Sequence, residues 1–118
     1  MHFNWNNSHL VDWQASLIVT GGSEELADEL LSMFIKSLPE ELEKLELSFD
    51  AADFVALKQQ AHRIHGALCY CAIPALKEKI KLLEKESSNT PPDVEKITVY
   101  FQQSRQLMTE LLAEKLVC

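Results

Sequence analysis

The chain has 118 residues, and 47% of them are hydrophobic, which is enough apolar material for one core and predicts a single domain over residues 1–118. The 18 acidic residues outnumber the 11 basic ones, and the formal net charge of -7 makes the surface as a whole repel nucleic-acid phosphates and anionic lipid headgroups. We therefore expect neither nucleic acid nor a membrane surface as a partner.

The sequence shows no targeting or membrane-spanning segment. Its N-terminus lacks a basic region followed by an apolar run, and no apolar stretch approaches the ~20 residues that span a bilayer. The chain has an odd number of cysteines, Cys69, Cys71 and Cys118, and the first two lie too close in sequence for a disulfide between them to stabilise a fold. A reducing cytoplasm fits this pattern better than secretion, for a free-standing protein or for one module of a membrane-bound protein.

Apolar residues recur at intervals of three and four along almost the whole chain, which predicts helices throughout. The first helix is a short amphipathic segment that contains Trp13 and stops at Gly21 and Gly22. Ser23 is the predicted N-cap of a long second helix, which should kink at Pro39 because proline lacks the backbone donor. The stripe expected to be buried on this helix is Leu26, Leu30, Phe34, Leu38, Leu42, Leu45 and Phe49.

Three further helices follow. Asp50 is the predicted cap of the third, Pro74 fits the first turn of the fourth, and the fifth begins after Pro92, past the polar loop ESSNTPP. The residues expected to be buried are Phe54, Leu57, Ala61, Ile64, Leu68 and Cys71 on the third helix, Leu76, Ile80 and Leu83 on the fourth, and Val94, Ile97, Phe101, Met108, Leu111 and Leu116 on the fifth.

The predicted fold is all-α. Four long amphipathic helices with short connections pack most simply as an antiparallel four-helix bundle, to which the short N-terminal helix is added. The predicted helices are 9–20, 23–48, 51–71, 74–87 and 92–116.

Reactive side chains gather in the segment AHRIHGALCYCAIP on the third helix. At 100° per residue, His62 projects to one side of the buried seam, and it shares that face with Lys58, His65, Gly66 and Cys69. A glycine inside a helix costs roughly 1 kcal/mol relative to alanine, so Gly66 suggests that another protein approaches closely here. An exposed imidazole is also a competent nucleophile near neutral pH. The spacing alone is equally compatible with an incidental surface histidine.

The string A-H-R-I-H-G resembles the signature of histidine phosphotransfer (HPt) domains. In that signature an alanine precedes the phosphorylated histidine, an aliphatic and a basic residue follow it, and a glycine closes the motif. The resemblance extends further to the HPt domains at the C-terminal end of BarA-type hybrid sensor kinases, through DWQ, SLPEELEKLE, and HRIHG followed by CY and IP. The resemblance covers roughly Val11 to Glu86 and is weak in the last helix.

The resemblance implies a phosphoryl carrier of a two-component phosphorelay that has no kinase activity of its own. His62 would accept the group from a receiver-domain aspartate through its distal ring nitrogen and pass it to a response regulator. His65 would occupy the basic position and Gly66 the close-approach position. In such domains a polar side chain of the next helix often holds the proximal ring nitrogen; Glu84 falls near that position, where a solvated surface glutamate is an equal alternative.

The same resemblance implies that the partners are receiver domains of a hybrid sensor kinase and of a response regulator. The chain itself would need no cofactor, since Mg²⁺ is expected on the receiver. We expect a cytoplasmic monomer, or the cytoplasmic tail of an inner-membrane sensor kinase. The basic residues near His62, namely Lys58, Arg63 and His65, would attract the acidic receiver pocket and balance the added phosphate.

Two other kinds of site are less compatible with the sequence. A zinc site would have to combine His62 and His65 with Cys69 and Cys71, but Cys71 belongs to the buried seam and points away from His62. A cysteine–histidine nucleophile would need an orienting third group and a pocket, neither of which is visible.

The main alternative function is a helical protein-interaction domain without phosphotransfer. Its docking surface would use apolar groups such as Leu17, Ile18 and Tyr70, and His62 would be dispensable.

Overall fold

The computed structural model describes residues 4–115, which form a short 3₁₀ turn and five α-helices, with no strand in this range. None of these helices is both long enough and apolar enough to cross a membrane. After the turn at Trp5–Asn7, the helices are α1 (Trp13–Val19), α2 (Glu24–Asp50), α3 (Phe54–Leu68), α4 (Pro74–Ser87) and α5 (Val94–Lys115).

The four long helices form the predicted bundle. Each of α2, α3 and α4 packs against the helix that follows it, and α5 returns to contact α2, so the four helices close around one core. The short connections make consecutive helices run antiparallel. The fold prediction, a four-helix bundle with an additional short N-terminal helix, is therefore confirmed.

The predicted start of the third helix is wrong by three residues, because α2 continues through Asp50. Phe49, in the last turn of α2, stacks on Phe101 of α5 with ring centroids 4.0 Å apart, a contact that favours the longer helix. The chain then turns through Ala52, which has a φ of 53°. Asp53, not Asp50, caps α3 by accepting a hydrogen bond from the Ala56 amide.

The buried stripe on the first half of α2 also differs from the prediction. Leu26 is 42% exposed, whereas its neighbour Ala27 is 1% exposed, and Leu31 is buried in place of the half-buried Leu30. Repeated steps of four residues drift around a helix that has 3.6 residues per turn, so a stripe extended in this way rotates off the core. Pro39 is exposed, and α2 runs through it without a break.

The other predicted helix bounds need smaller corrections. α1 begins at Trp13 rather than residue 9, because Asp12 caps it, and α3 ends at Leu68 rather than residue 71. The fifth helix starts at Val94, which is 54% exposed instead of buried. Leu116, which was predicted to be buried, and Cys118, the third cysteine of the odd set, lie outside the described residues.

The N-terminal segment is fastened to two parts of the bundle. The amide of Asp12 donates to the carbonyl of Ala72 at 2.8 Å, and the amide of Ala72 donates to the buried hydroxyl of Ser16 at 3.2 Å, which fixes α1 to the α3–α4 connection. The amide of His9 donates to Glu114 near the end of α5 at 2.7 Å. These bonds satisfy backbone groups that would otherwise lie unpaired at the end of the core.

Candidate functional site

His62 lies at the middle of α3 and points out of the bundle. Its side chain is 73% exposed, while Ala61 and Ile64 on either side are 0% and 1% exposed. The helix therefore buries the seam predicted from the sequence and presents the imidazole to solvent on the adjacent face.

Glu84 of α4 holds the proximal nitrogen of His62. One carboxylate oxygen, Oε2, lies 2.8 Å from His62 Nδ1. The neighbouring Leu83 is buried in the core, which anchors this turn of α4 beside α3 and leaves the Glu84 side chain 22% exposed. Within residues 4–115 the distal nitrogen Nε2 takes part in no hydrogen bond, so the geometry leaves that atom accessible.

The same carboxylate also faces His65. The second oxygen, Oε1, lies 3.8 Å from His65 Nδ1, and the side chain of His65 is only 25% exposed. His65 therefore lies between α3 and α4 and does not project into solvent beside His62. Glu84 thus stands between two imidazoles.

Basic side chains surround this group from both helices. Lys58 is exposed on α3, as the sequence predicted, and Lys81 and Lys85 flank Glu84 on α4. The two α4 lysines were not predicted, although Lys81 stands three residues before Glu84, at the spacing that shares a helix face. These lysines and the two histidines line one cavity of about 620 Å³. Its full lining is Lys58, His62, His65, Glu78, Lys81, Leu82, Glu84, Lys85 and Ser88.

Arg63 is directed away from this cluster. Its Nε lies 3.5 Å from Oε1 of Glu41, a nearly buried carboxylate on α2, and Gln60 donates a hydrogen bond to the other oxygen of Glu41. The expectation that Arg63 adds to the positive charge around His62 is therefore not supported by the geometry. Arg63 instead links α3 to α2.

Gly66 forms an open patch one turn after His62. A Cβ atom added to this glycine would meet no atom within 4 Å, and its φ is not in the left-handed region. Neither internal packing nor backbone conformation requires glycine here. The absence of a side chain therefore matters only to something that approaches from outside.

A second cavity adjoins His62 on the other side, between the start of α3 and the α4–α5 connection. Its volume is about 800 Å³, and Val55 in its wall is 69% exposed. The lining residues are Phe54, Val55, Lys58, Gln59, His62, Glu84, Ser87, Ser88, Asn89, Thr90 and Pro92.

The described cysteines do not combine with the histidines. Burial raises the pKa of the Cys71 thiol to about 11, and Cys71 Sγ lies 3.5 Å from the carbonyl oxygen of Leu30, on the α2 side. Because zinc binds the thiolate, this thiol is a poor ligand near neutral pH. Cys69 is exposed and contacts the carbonyl oxygen of His65. Among the described residues, no group of three or more His, Cys, Asp or Glu side chains is arranged to hold a metal ion.

Comparison with known proteins gives consistent matches. The family described as Hpt domain matches residues 29–114. The chain is 30% identical over 81 residues to the signal transduction histidine-protein kinase BarA of Shigella flexneri, which covers 69% of this chain and 9% of that protein. It is 29% identical over 86 residues to the sensor protein GacS of Pseudomonas syringae pv. syringae, which covers 73% of this chain and 10% of that protein. The chain therefore spans about a tenth of the length of these curated relatives.

A solved structure supports the fold. It is the HPT domain of the Hpt sensor hybrid histidine kinase from Shewanella, which superposes with a TM-score of 0.66 at 23% identity. The match covers 90% of this chain and 96% of that one. At this identity the likeness concerns the arrangement of the helices.

Proposed function

The chain belongs to the Hpt domain family, and on that premise we propose that it carries a phosphoryl group on His62 between receiver domains of a two-component phosphorelay. The observation that carries the proposal is the pairing of an exposed imidazole with a carboxylate at 2.8 Å from its Nδ1. The pairing holds the ring by one nitrogen and leaves the other, Nε2, for the reaction.

The carboxylate of Glu84 favours one tautomer of His62. A carboxylate only accepts hydrogen bonds, so the ring proton resides on Nδ1 and the lone pair on Nε2. Nε2 attacks the phosphorus of a receiver aspartyl phosphate: the N–P bond forms, the P–O bond to the aspartate breaks, and the aspartate leaves as a carboxylate. No proton is transferred in this step.

Loading turns the imidazole of His62 into a cation that keeps its Nδ1 proton. The carboxylate of Glu84 then stabilises that positive charge through a charge-assisted hydrogen bond. In the return step a second receiver aspartate attacks the phosphorus, and the neutral imidazole leaves. Glu84 thus stabilises the loaded state, and its hydrogen bond to Nδ1 keeps the ring oriented in both directions of transfer.

Cations around the site balance the charge of the phosphoryl group. Lys58 on α3 and Lys81 and Lys85 on α4 line the cavity beside His62. They supply a local positive field on a molecule with a net charge of -7, which favours approach by an acidic receiver pocket. The receiver brings the Mg²⁺, so the chain is proposed to need no cofactor and to have no kinase activity of its own.

The partners are proposed to be the receiver domains of a hybrid sensor kinase and of a response regulator. The open patch at Gly66 lets such a domain approach the backbone of α3 next to His62. We propose that the chain acts in the cytoplasm as a monomer, where these partners reside.

An interaction domain without phosphotransfer is the second candidate. It is favoured by the exposure of Ile18 at 80% and Tyr70 at 61%, which offers apolar groups to a partner. In that function His62 would be dispensable.

The deciding experiment is incubation with several phosphorylated receiver domains, comparing the wild type with His62→Gln. The matched control is His9→Gln, which removes another exposed histidine. We expect an acid-labile, alkali-stable label on the wild type and on His9→Gln, and none on His62→Gln. If no receiver labels the wild type, the interaction domain becomes the better account.

A further inference from the structure

The geometry points to Lys58 as the residue that binds the phosphoryl oxygens of phospho-His62, in the second cavity, between the start of α3 and the α4–α5 connection. This role rests on the proposed phosphotransfer function and deepens it, because it assigns the phosphoryl oxygens to one of three nearby lysines. Lys81 and Lys85 lie on the other side of the imidazole and act on an approaching receiver from a distance.

The imidazole of His62 leans toward the start of α3. In an α-helix the Cα–Cβ bonds tilt toward the N-terminus, so a side chain covers the turn that precedes its own Cα. For His62 that turn contains Lys58 and Gln59, and all three residues line the second cavity, whose volume is about 800 Å³. The ring therefore faces this cavity, and it leaves the open patch at Gly66 uncovered.

Glu84 turns the reactive nitrogen in the same direction. Its carboxylate oxygens lie 2.8 Å from Nδ1 of His62 and 3.8 Å from Nδ1 of His65, so the carboxylate stands between the two rings. His65 follows His62 along α3, which puts the carboxylate on the C-terminal side of the His62 ring. The two nitrogens of an imidazole point away from each other, so Nε2 is directed to the N-terminal side, toward Lys58.

Lys58 is available to bind an anion at this place. Its side chain is exposed, and among the described residues no carboxylate lies within ion-pair distance of its ammonium group. It stands four residues before His62, at a spacing that shares a helix face. A lysine ammonium is a compact charge with three donors on a flexible stem, so it can follow the oxygens of a phosphoryl group on Nε2.

The rest of the second cavity offers no competing charge. Of the described residues that line it, Lys58 is the only lysine or arginine and Glu84 the only acid, and Glu84 is hydrogen-bonded to His62. In the opposite wall, the side chains of Ser88 and Asn89 donate their hydrogen bonds to α4. The ammonium group of Lys58 is therefore the charged partner that this cavity provides for a phosphoryl group.

The 620 Å³ cavity contains more cations but lies on the wrong side of the ring. Lys81 and Lys85 line it together with Glu78, whose carboxylate offsets part of their charge and repels a phosphoryl group. Because α4 runs antiparallel to α3, Lys81, three residues before Glu84, lies toward the C-terminal end of α3. The carboxylate of Glu84 thus stands between Lys81 and Nε2.

A cation that contacts the phosphoryl oxygens stabilises the loaded chain and not the free chain. Loss of Lys58 should therefore shift the exchange equilibrium with a receiver toward the phosphorylated receiver. The pair is exposed to water, so the expected change is roughly twofold to fivefold. The equilibrium constant refers to the separate chain and receiver, and contacts within their complex do not enter it.

The test is the equilibrium constant for phosphoryl exchange with a receiver, approached from either side. Lys58→Met removes the charge, Lys58→Arg keeps it, and the matched control is Lys36→Met, at an exposed position of α2 outside both cavities. We expect Lys58→Met to shift the equilibrium toward the receiver by roughly twofold to fivefold. Lys58→Arg should restore most of the wild-type value, and Lys36→Met should match the wild type.

Two further measurements decide between the sides of the imidazole. Lys81→Met and Lys85→Met should each shift the equilibrium less than Lys58→Met does. In the wild type, loading of His62 by phosphoramidate, a small donor that requires no docked receiver, should move the side-chain NMR signals of Lys58 more than those of Lys81 and Lys85. This second readout needs no substitution, so a change in folding cannot imitate it.

The outcomes separate this role from the function on which it rests. If the wild type is loaded but Lys58→Met keeps its equilibrium constant, the role of Lys58 is wrong and the phosphocarrier function stands. An equal or larger shift in Lys81→Met or Lys85→Met, or a Lys58 signal that does not move on loading, has the same meaning. If neither phosphoramidate nor any receiver loads the wild type, the phosphocarrier function falls and the role of Lys58 falls with it.

Discussion

At the scale of single residues, Ser104 of α5 is an unusual member of the core. It is 0% exposed, and its Oγ is the one buried side-chain polar atom of the described residues that has no hydrogen-bond partner. Burial removes the hydration of this hydroxyl, and no hydrogen bond within the described residues replaces it. Ser104 therefore lowers the free energy of unfolding.

We predict that Ser104→Ala raises the free energy of unfolding by about 1 kcal/mol, measured as a higher urea midpoint with an unchanged slope. Alanine is also the better helix former, so the control is Ser32→Ala, the same change at an exposed position of α2. Equal shifts in the two variants would show that helix propensity alone accounts for the gain.

The residues of the site differ in how far the sequence could predict them. The exposure of His62 follows from the spacing of Ala61 and Ile64, which lie on the same helix. The contact with Glu84 joins two helices, and its 2.8 Å distance depends on the register of α4 against α3, which no local pattern encodes. For the same reason the sequence could not show that Arg63 turns toward α2.

At the scale of elements, α3 carries a glycine that its own packing does not need. We predict that Gly66→Ala raises the free energy of unfolding by roughly 0.8–1 kcal/mol, because the added Cβ meets no atom within 4 Å and alanine favours the helix. Chemical denaturation measures this change. A loss of stability would mean that the site is more crowded than the structure shows.

The bulkier Gly66→Leu is predicted to slow transfer from a phosphorylated receiver by about tenfold or more while loading by phosphoramidate stays near the wild-type rate. A large side chain here holds the receiver away from His62, whereas the small donor is not obstructed. Gln103→Leu, an exposed position on α5, is the control. Wild-type transfer from the receiver would refute the close-approach role.

The elements themselves were predicted well where a pattern within one helix decides them. The seam of α3 and the buried residues of α4 follow from steps of three and four residues, and Ser23 is a cap that the sequence identifies directly. The errors occur where contacts between helices decide, as at Asp50, where the stacking of Phe49 on Phe101 accompanies a longer α2.

At the scale of the whole molecule, the second cavity beside His62, which Val55 lines, presents an exposed apolar side chain to a docking partner. We predict that Val55→Asp weakens receiver binding by roughly tenfold, because it removes an exposed apolar contact and places a negative charge against an acidic partner. Val55 stands in the first turn of α3, where an acidic residue suits the helix dipole, so the fold should be retained.

Val99→Asp on α5 is the matched control, since it also replaces a partly exposed valine with an aspartate on a helix. Titration calorimetry with an unphosphorylated receiver gives both affinities. Equal losses in the two variants would assign the effect to net charge instead of the cleft.

The hydrogen bonds that fix α1 to the α3–α4 connection bear on which residues belong to the folded domain. The family match begins at residue 29, inside α2, and leaves out the segment that pairs with Ala72 and Glu114. A fragment that begins at residue 29 would lack the segment that contacts the α3–α4 connection. Its Ala72 amide would have no acceptor, and the buried side chain of Val11 would be missing from the core. The residues matched by the family model and the physical boundary of the domain therefore differ in this molecule: the helices that carry His62 and Glu84 are held in place partly by a segment that lies outside the matched residues.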